Sequence, residues 1–358
     1  MKTSKRNLSE TNTVDIKILF SVSGHSQQLL AAEIDKVKEL HLEIKLLDVL
    51  TTLVLTLVKS IPEAFKKEKK STKGYIYGSI SFTYDSPLHR ELERGKEVLR
   101  KDIESRIGDF GVELTLNEAS IANQLKIALD NFALAVQIAY PRTTLGVNYS
   151  VVINNKYLNI DTFYFNTDTE WVIETAHRND WPQFKNLSLK SVWDWLYQFE
   201  DIWIGFSETQ VGRVINALKY MGVTDDKSDY GVVKNLVWSM VALETLFVDD
   251  LQKNDDSIAS QITKKVFTLL GKLPKGSNFS EKHLKKLYTF RSNFFHGRAD
   301  FPSPDYPWDA DRRFDDGFII EWSDVSITVT TILIRTLQLL AKYKLPELRF
   351  ELGYKLVK

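Results

Sequence analysis

The sequence predicts an α+β protein, with a mixed α/β N-terminal domain over residues 1–183 and an all-α helical bundle over residues 184–358. Three observations carry this. Runs that read as strands, rich in β-branched and aromatic residues, fall only in the first half. In the second half apolar residues recur at three- and four-residue steps, the period of a helix with one buried face. Tryptophan is segregated as well: all eight (Trp171, Trp181, Trp193, Trp195, Trp203, Trp238, Trp308 and Trp322) lie at or after residue 171. A chain of 358 residues is long enough to bury two cores.

The N-terminal elements follow in order. Residues 16–22 (IKILFSV) read as a strand. Residues 27–65 read as strongly helical, with Leu, Ile and Val at helical steps. Within them, LLDVLTTLVLTLV (46–58) reads as a buried helix rather than a membrane span, because it contains Asp48 and falls short of the ~20 residues a span needs. YIYGSISFTY (75–84) alternates as a strand. A charged helix over 88–107, a helix over 119–138 closed by Pro141, and strands over 147–152 and 157–164 complete the domain. None of these carries a motif tied to chemistry.

The C-terminal domain reads as six helices. The first covers 187–204. Ser207 with Gln210 forms a capping box that opens the second, which stops before Gly222. The third covers 231–249 and the fourth 258–270. The fifth opens with Ser280 as N-cap and Glu281 in its first turn, and ends at Gly297, a residue suited to a left-handed C-terminal position. A loop rich in proline and aspartate follows. The last helix, 323–343, is apolar almost all round and should be well buried.

Composition narrows the function classes. Hydrophobic residues are 43% and charged residues 26%, ordinary for a globular protein, and the net charge is zero. Any attraction for nucleic acid must therefore be local. There is no cysteine, which excludes disulfides and thiolate metal sites and fits a reducing, cytoplasmic setting. The N-terminus MKTSKRNLSETNTVD has no apolar signal core, and no membrane association is expected. His25, His41, His89, His177 and His283 have no metal-ligand spacing, and there is no P-loop and no GxGxxG. The loop with Asp305, Asp309, Asp311, Asp315 and Asp316 lacks the spacing of a calcium loop and reads as solvated. No cofactor and no metal is expected.

One helix places polar residues on its apolar stripe. Leu284, Leu287, Tyr288, Phe294 and Phe295 define a buried face on the fifth helix, and Arg291 falls within it; Lys282, Lys285, Lys286 and Asn293 lie opposite. An unpaired buried guanidinium is costly, so Arg291 needs an acid. The third helix offers Glu244, on the face marked by Val233, Val237, Met240, Val241 and Phe247. The pair serves either structure or chemistry. His296 comes at the helix end, ~140° round from Arg291 on an ideal helix; it either caps the C-terminus or transfers protons. Between Lys264 and Arg298 the cations are Lys264, Lys265, Lys272, Lys275, Lys282, Lys285, Lys286, Arg291 and Arg298, against Glu281 alone. Such a patch suits a phosphate backbone, or is simply a solvated face.

The stretch KLYTFRSNFFHGRAD resembles the Apea-like group of HEPN domains, whose motif helix reads Leu-Tyr-x-x-Arg-Ser, then apolar residues, then His-Gly. Arg291 and His296 match its arginine–histidine motif. LVWSMVALETLF resembles the helix of that group with an Ala-Leu-Glu triplet, here Ala242, Leu243 and Glu244, and TQVGRVINALKYMG fits its opening helix. The resemblance covers about residues 185–358; nothing in residues 1–180 takes part. It implies a helical bundle that forms a homodimer, with two motifs facing across the interface, and metal-independent endoribonuclease activity of the kind found in toxin, antiviral and abortive-infection proteins. Carried over, Arg291 and His296 are catalytic and Asn293 and Glu244 support them. Lys285, Lys286, Arg298 and Tyr288 are the residues expected to bind the RNA substrate. Many active members have Asn, Asp or His directly after the arginine, where this chain has Ser292. The alternative implied is a non-catalytic HEPN module that binds RNA or a protein. In either case the N-terminal domain is expected to sense a phage or other trigger, recruit substrate, or restrain the bundle.

Overall fold

The computed structural model describes residues 11–22, 24–46, 49–58, 60–65, 75–85, 116–141, 147–158, 176, 181–199, 202, 208–222, 231–248, 257–275, 281–298, 316–351 and 355–356. The architecture is α+β, and the described residues fall in two compact units. One draws on Met1–Val22, Leu30–Leu129 and Val147–Thr162; the other on Ser23–Leu29, Asp130–Gly146 and Phe163–Lys358.

The first unit is built on six strands: β1 (Thr11–Val22), β2 (Leu40–Leu46), β3 (Val49–Val58), β4 (Tyr75–Asp85), β5 (Val147–Ile153) and β6 (Lys156–Leu158). They form one sheet in the order β2-β3-β4-β1-β5-β6, with every pairing antiparallel. Helix α1 (Gly24–Val37) intervenes between β1 and β2, and α2 (Leu116–Ala139) precedes β5. The period of two decides which face is core. Ile16, Ile18 and Phe20 of β1 point the same way as Ile76 and Ile80 of β4, and all five are buried. Gly78 lies between them because a Cβ there would stand 3.0 Å from Leu53 Cδ1 and 3.0 Å from Phe20 Cε2. On the other face a smaller cluster of Leu19, Tyr75 and Val152 closes around Phe65, which sits in a short 3₁₀ turn, Glu63–Phe65, and is fully buried. Lys156 of β6 pairs with Glu118 in the first turn of α2, 2.7 Å apart.

The helix expected over 27–65 is therefore corrected. Only α1 is helical. Lys38 turns the chain in the left-handed region (φ 65°), and two strands follow. LHLEIKL alternates strictly, with Leu40, Leu42, Ile44 and Leu46 buried and His41, Glu43 and Lys45 exposed. The run read as a buried helix holds β3 instead. Its threonines and valines favour a pleated surface, and abundance of Leu masked the change of period. The charged helix expected over 88–107 lies outside the described residues.

The second unit is helical: α3 (Leu189–Leu196), α4 (Gln210–Gly222), α5 (Gly231–Phe247), α6 (Ile258–Leu270), α7 (Glu281–Phe295) and α8 (Asp316–Tyr343), with a small hairpin of β7 (Phe350–Glu351) and β8 (Lys355–Leu356). α5 packs against α4, α6, α7 and α8, which is why its sequence is apolar on more than one side. α8 is seven residues longer at its start than expected. Along its described side chains, Thr328, Thr330, Thr331, Thr336 and Gln338 are buried beside Val329, Ile332, Leu333 and Leu337. Gln338 is a clamp. Its amide nitrogen donates to Ile138 O (2.8 Å) and Lys185 O (2.6 Å), while its oxygen accepts from Arg335 Nη1 and Lys185 N–H. Gln210 acts similarly, donating to Thr245 O (3.0 Å) and accepting from Leu348 N–H (2.6 Å).

Two expected boundaries move. α3 stops at Leu196 rather than near 204; Tyr197 caps it, and the Trp195 indole turns to donate to Leu345 O at 2.9 Å. α4 is capped by Thr209, whose hydroxyl accepts from Gly212 N–H at 2.9 Å. That is the bond the capping-box reading gave to Ser207, which lies outside the described residues, as does Ser280.

Candidate active site

The end of α7 is set by its glycine. Gly297 has φ +65°, and nothing lies within 4 Å of where its Cβ would be. With the chain turned left-handed there, Arg298 N–H reaches Asn293 O (2.7 Å) and His296 N–H reaches Ser292 O (3.1 Å). The second is an ordinary helical bond; the first is the wide closing bond of a Schellman-type end and satisfies a carbonyl the helix would leave open. His296 is its C-cap residue and is exposed. Its imidazole makes no hydrogen bond to any described residue.

The inner stripe of α7 is Leu284, Leu287 and Phe290, all buried. Tyr288 is half-buried, and the side chain of Phe294 lies outside the described residues. Phe295 departs from expectation. It is 54% exposed rather than part of the buried stripe, because in the last turn its ring is set beside the Arg291 guanidinium, whose carbon lies 4.9 Å from the ring centroid.

Arg291 meets Glu244 of α5 across the helix pair, as the apolar patterning of the two helices requires. Arg291 Nη2 donates to Glu244 Oε2 at 3.3 Å, and Nε stands 3.2 Å from Oε1. The side chains keep 31% and 24% of their exposure. The second approach is close enough for charge attraction but is not aligned as a hydrogen bond, so Oε1, which is shut off from solvent, has no hydrogen-bond partner. Burial therefore pushes the Glu244 carboxyl above its usual range, and Arg291 pulls only partly the other way. Nη1 of Arg291 has no partner among the described residues. The guanidinium is thus held on one edge by a carboxylate and on one face by a ring, and among the described residues no group occupies the remaining edge, whose N–H donors suit an oxyanion.

The cationic surroundings are narrower than the sequence implies. Lys264, Lys272, Lys275, Lys282, Lys285, Lys286 and Arg298 are exposed. Lys265 is not part of that surface: it is 1% exposed, with its ammonium 5.3 Å from the ring centroid of Phe350. A helical wheel for α6 would have found it, since Ile262 and Val266 flank it on the inner face. Asn293 is half-buried, and its carbonyl is used in the helix closure.

Sequence reasoning missed the opening behind Glu244. A cleft of about 1160 Å³ is bounded there by Phe199, Glu208, Arg213, Glu244, Ile258 and Glu347, among others. Glu347 in turn pairs with Arg349. Three carboxylates against one guanidinium make these walls a poor seat for phosphate. The cleft draws on α4, α5, α6 and the turn after α8, and such a convergence leaves no local signal in sequence. Of the acidic residues weighed as a metal site, Asp305, Asp309, Asp311 and Asp315 lie outside the described residues and Asp316 opens α8; none of the described helices is long and apolar enough to cross a membrane. The chain matches no family model, no curated protein and no solved structure, so the reading of this site rests on its own residues.

Proposed function

We propose that the chain is a metal-independent endoribonuclease of the HEPN type. The observation that carries this reading is the half-held guanidinium of Arg291: Glu244 and Phe295 fix it, its other edge has no partner among the described residues, and the exposed His296 and Arg298 stand at the same helix end, with Lys285 and Lys286 exposed nearer the start of that helix. RNA carries its own nucleophile, the 2′-hydroxyl. Its oxygen attacks the adjacent phosphorus, the bond from phosphorus to the 5′-oxygen breaks, and the products are a 2′,3′-cyclic phosphate and a 5′-hydroxyl. The reaction needs a base to take the 2′-hydroxyl proton, an acid to protonate the leaving oxygen, and positive charge at the pentacoordinate phosphorus. His296 supplies the proton transfer. Arg291 supplies the charge through its open edge, and Asn293 assists. Lys285, Lys286 and Arg298 hold the backbone, with Tyr288 beside them. One chain offers one imidazole here, so a homodimer that brings two α7 ends together provides both acid and base. The biological setting that fits is a toxin or antiphage effector of abortive infection, with the first unit restraining or directing the bundle.

The test is cleavage of a labelled RNA by the full chain with and without EDTA, beside Arg291→Ala and His296→Ala. Chelator-resistant cleavage ending in a cyclic phosphate, lost in both variants while the helical content stays, is the expected result. Cleavage that needs a divalent metal, or that survives His296→Ala, would falsify the assignment. One observation favours a second reading, a non-catalytic HEPN module that binds RNA or a protein: Arg291 already has a carboxylate partner within its own chain. A folded protein that binds RNA without cutting it would decide for that reading.

A further inference from the structure

We infer that the outer face of the six-stranded sheet binds a small zwitterion, a molecule with one ammonium and one carboxylate such as a free amino acid. The site lies within the first unit and does not depend on the nuclease reading. A depression of about 540 Å³ opens over β1, β3 and β4, a size suited to a small molecule. Strand register decides what lines it. Asp15 pairs with Ser81 and Lys17 with Ser79, and Ser79 also faces Val54 of β3. Partners across a ladder share a face, as do residues two apart on one strand. Asp15, Lys17, Thr52, Tyr77, Ser79 and Ser81 therefore lie on the face opposite the buried Ile16, Ile18, Ile76 and Ile80. Lys17, Thr52, Tyr77 and Ser79 are half-buried, yet none of the six side chains makes a hydrogen bond or an ion pair with a described residue. The ring of Tyr77 packs on the cluster of Leu19, Tyr75 and Val152. Burial, and then the charge of Asp15, raise its phenol above the usual range, so the hydroxyl stays a donor at neutral pH. Asp15 and Lys17 stand about 7 Å apart along one strand with opposite charges and no bond between them. Other neighbouring charges of this unit close on each other, Lys38 on Asp35 at 3.0 Å and Lys156 on Glu118 at 2.7 Å. An anion would meet Asp15, and an apolar ligand would desolvate both charges without a partner. A molecule with both charges answers both, and the hydroxyls of Ser79, Ser81 and Thr52 donate or accept beside them.

The test is isothermal titration calorimetry of the full chain with each of the common free L-amino acids. Any that binds is then compared with two blocked forms of itself. The N-acetyl form lacks the ammonium, and the carboxamide lacks the carboxylate. Each block is expected to weaken binding to wild type roughly tenfold or more, the scale of a charge-assisted contact. Asp15→Asn should bind the free amino acid and its N-acetyl form equally weakly, because the variant has already lost the contact that acetylation removes. Lys17→Met should treat the free amino acid and its carboxamide alike for the same reason. Circular dichroism of both variants should match wild type, since neither side chain holds a partner in the fold. If a variant fails to fold, the blocked forms on wild type still decide. The inference is overturned if no free amino acid binds, if the blocked forms bind as well as the free one, or if the folded variants discriminate as wild type does. RNA cleavage enters none of these readouts, so failure here leaves the nuclease reading standing, and failure of that reading leaves this one.

Discussion

Arg291→Ala leaves the Glu244 carboxylate without its cation, and the size of the loss separates a chemical role from a scaffolding one. Breaking a fully buried ion pair costs about 3–5 kcal/mol, and an exposed one about 0–1 kcal/mol. With 31% and 24% of the two side chains still exposed, the pair lies between these limits. The expected cost is about 2 kcal/mol, roughly 4–8 °C in melting temperature for a unit of this size. Most of that cost is the carboxylate, whose Oε1 is buried with no hydrogen bond. Adding Glu244→Gln to Arg291→Ala should therefore recover about half of it or more. Urea unfolding followed by tryptophan fluorescence is the assay, since every tryptophan lies at or after residue 171 and reports on the helical unit. A loss above about 4 kcal/mol that Glu244→Gln does not relieve would mean that Arg291 is a strut of the bundle. Absence of cleavage in that variant would then say nothing about chemistry.

Other expectations concern pH and single glycines. Burial raises the Glu244 carboxyl, so the folded chain binds that proton more tightly than the unfolded one. Its contribution to stability is full below the ordinary carboxylate range and is lost as pH rises through the raised value. Stability curves across that window should slope in wild type and lie flatter in Glu244→Gln; parallel curves would refute the shift. Gly297→Ala should cost about 1 kcal/mol by backbone strain alone, because the space for a Cβ is open, and hydrogen exchange at the Arg298 amide should quicken. Gly78→Ala must displace Leu53 and Phe20 and should cost the sheet about 1–3 kcal/mol. Circular dichroism should register that loss, and a change in cleavage with it would support a regulatory first unit, whereas unaltered cleavage would count against one.

How much of this was legible in sequence depended on the range of the interaction. The Arg291–Glu244 pair was readable because each charge interrupts an apolar stripe on its own helix, and two such interruptions have few ways to be satisfied. The end of α7 was readable because Gly297 is a local conformational signal. The hairpin of β2 and β3 was not, because leucines at every second or third position satisfy two periods until the alternating His41, Glu43 and Lys45 are weighed. Lys265 was misplaced by counting its charge without its angle on α6, whereas Phe295 was misplaced despite its angle on α7. Stripe patterns give an angle around a helix, whereas burial depends on whether a neighbouring element reaches that far along it. The cleft at Glu244 gathers residues from positions 198 to 347 and has no linear signature at all.

The clamp at Gln338 has a temporal side. Synthesis runs from the N-terminus, and Gln338 is added 200 residues after Ile138, whose carbonyl it seals, and 153 after Lys185. While the ribosome is still building α7, those carbonyls have no glutamine to meet, and α5 lacks the helix α8 that packs on it. The bundle is completed only after α8 has been made, so a nascent chain that already displays Arg291 and His296 still lacks the scaffold that fixes them.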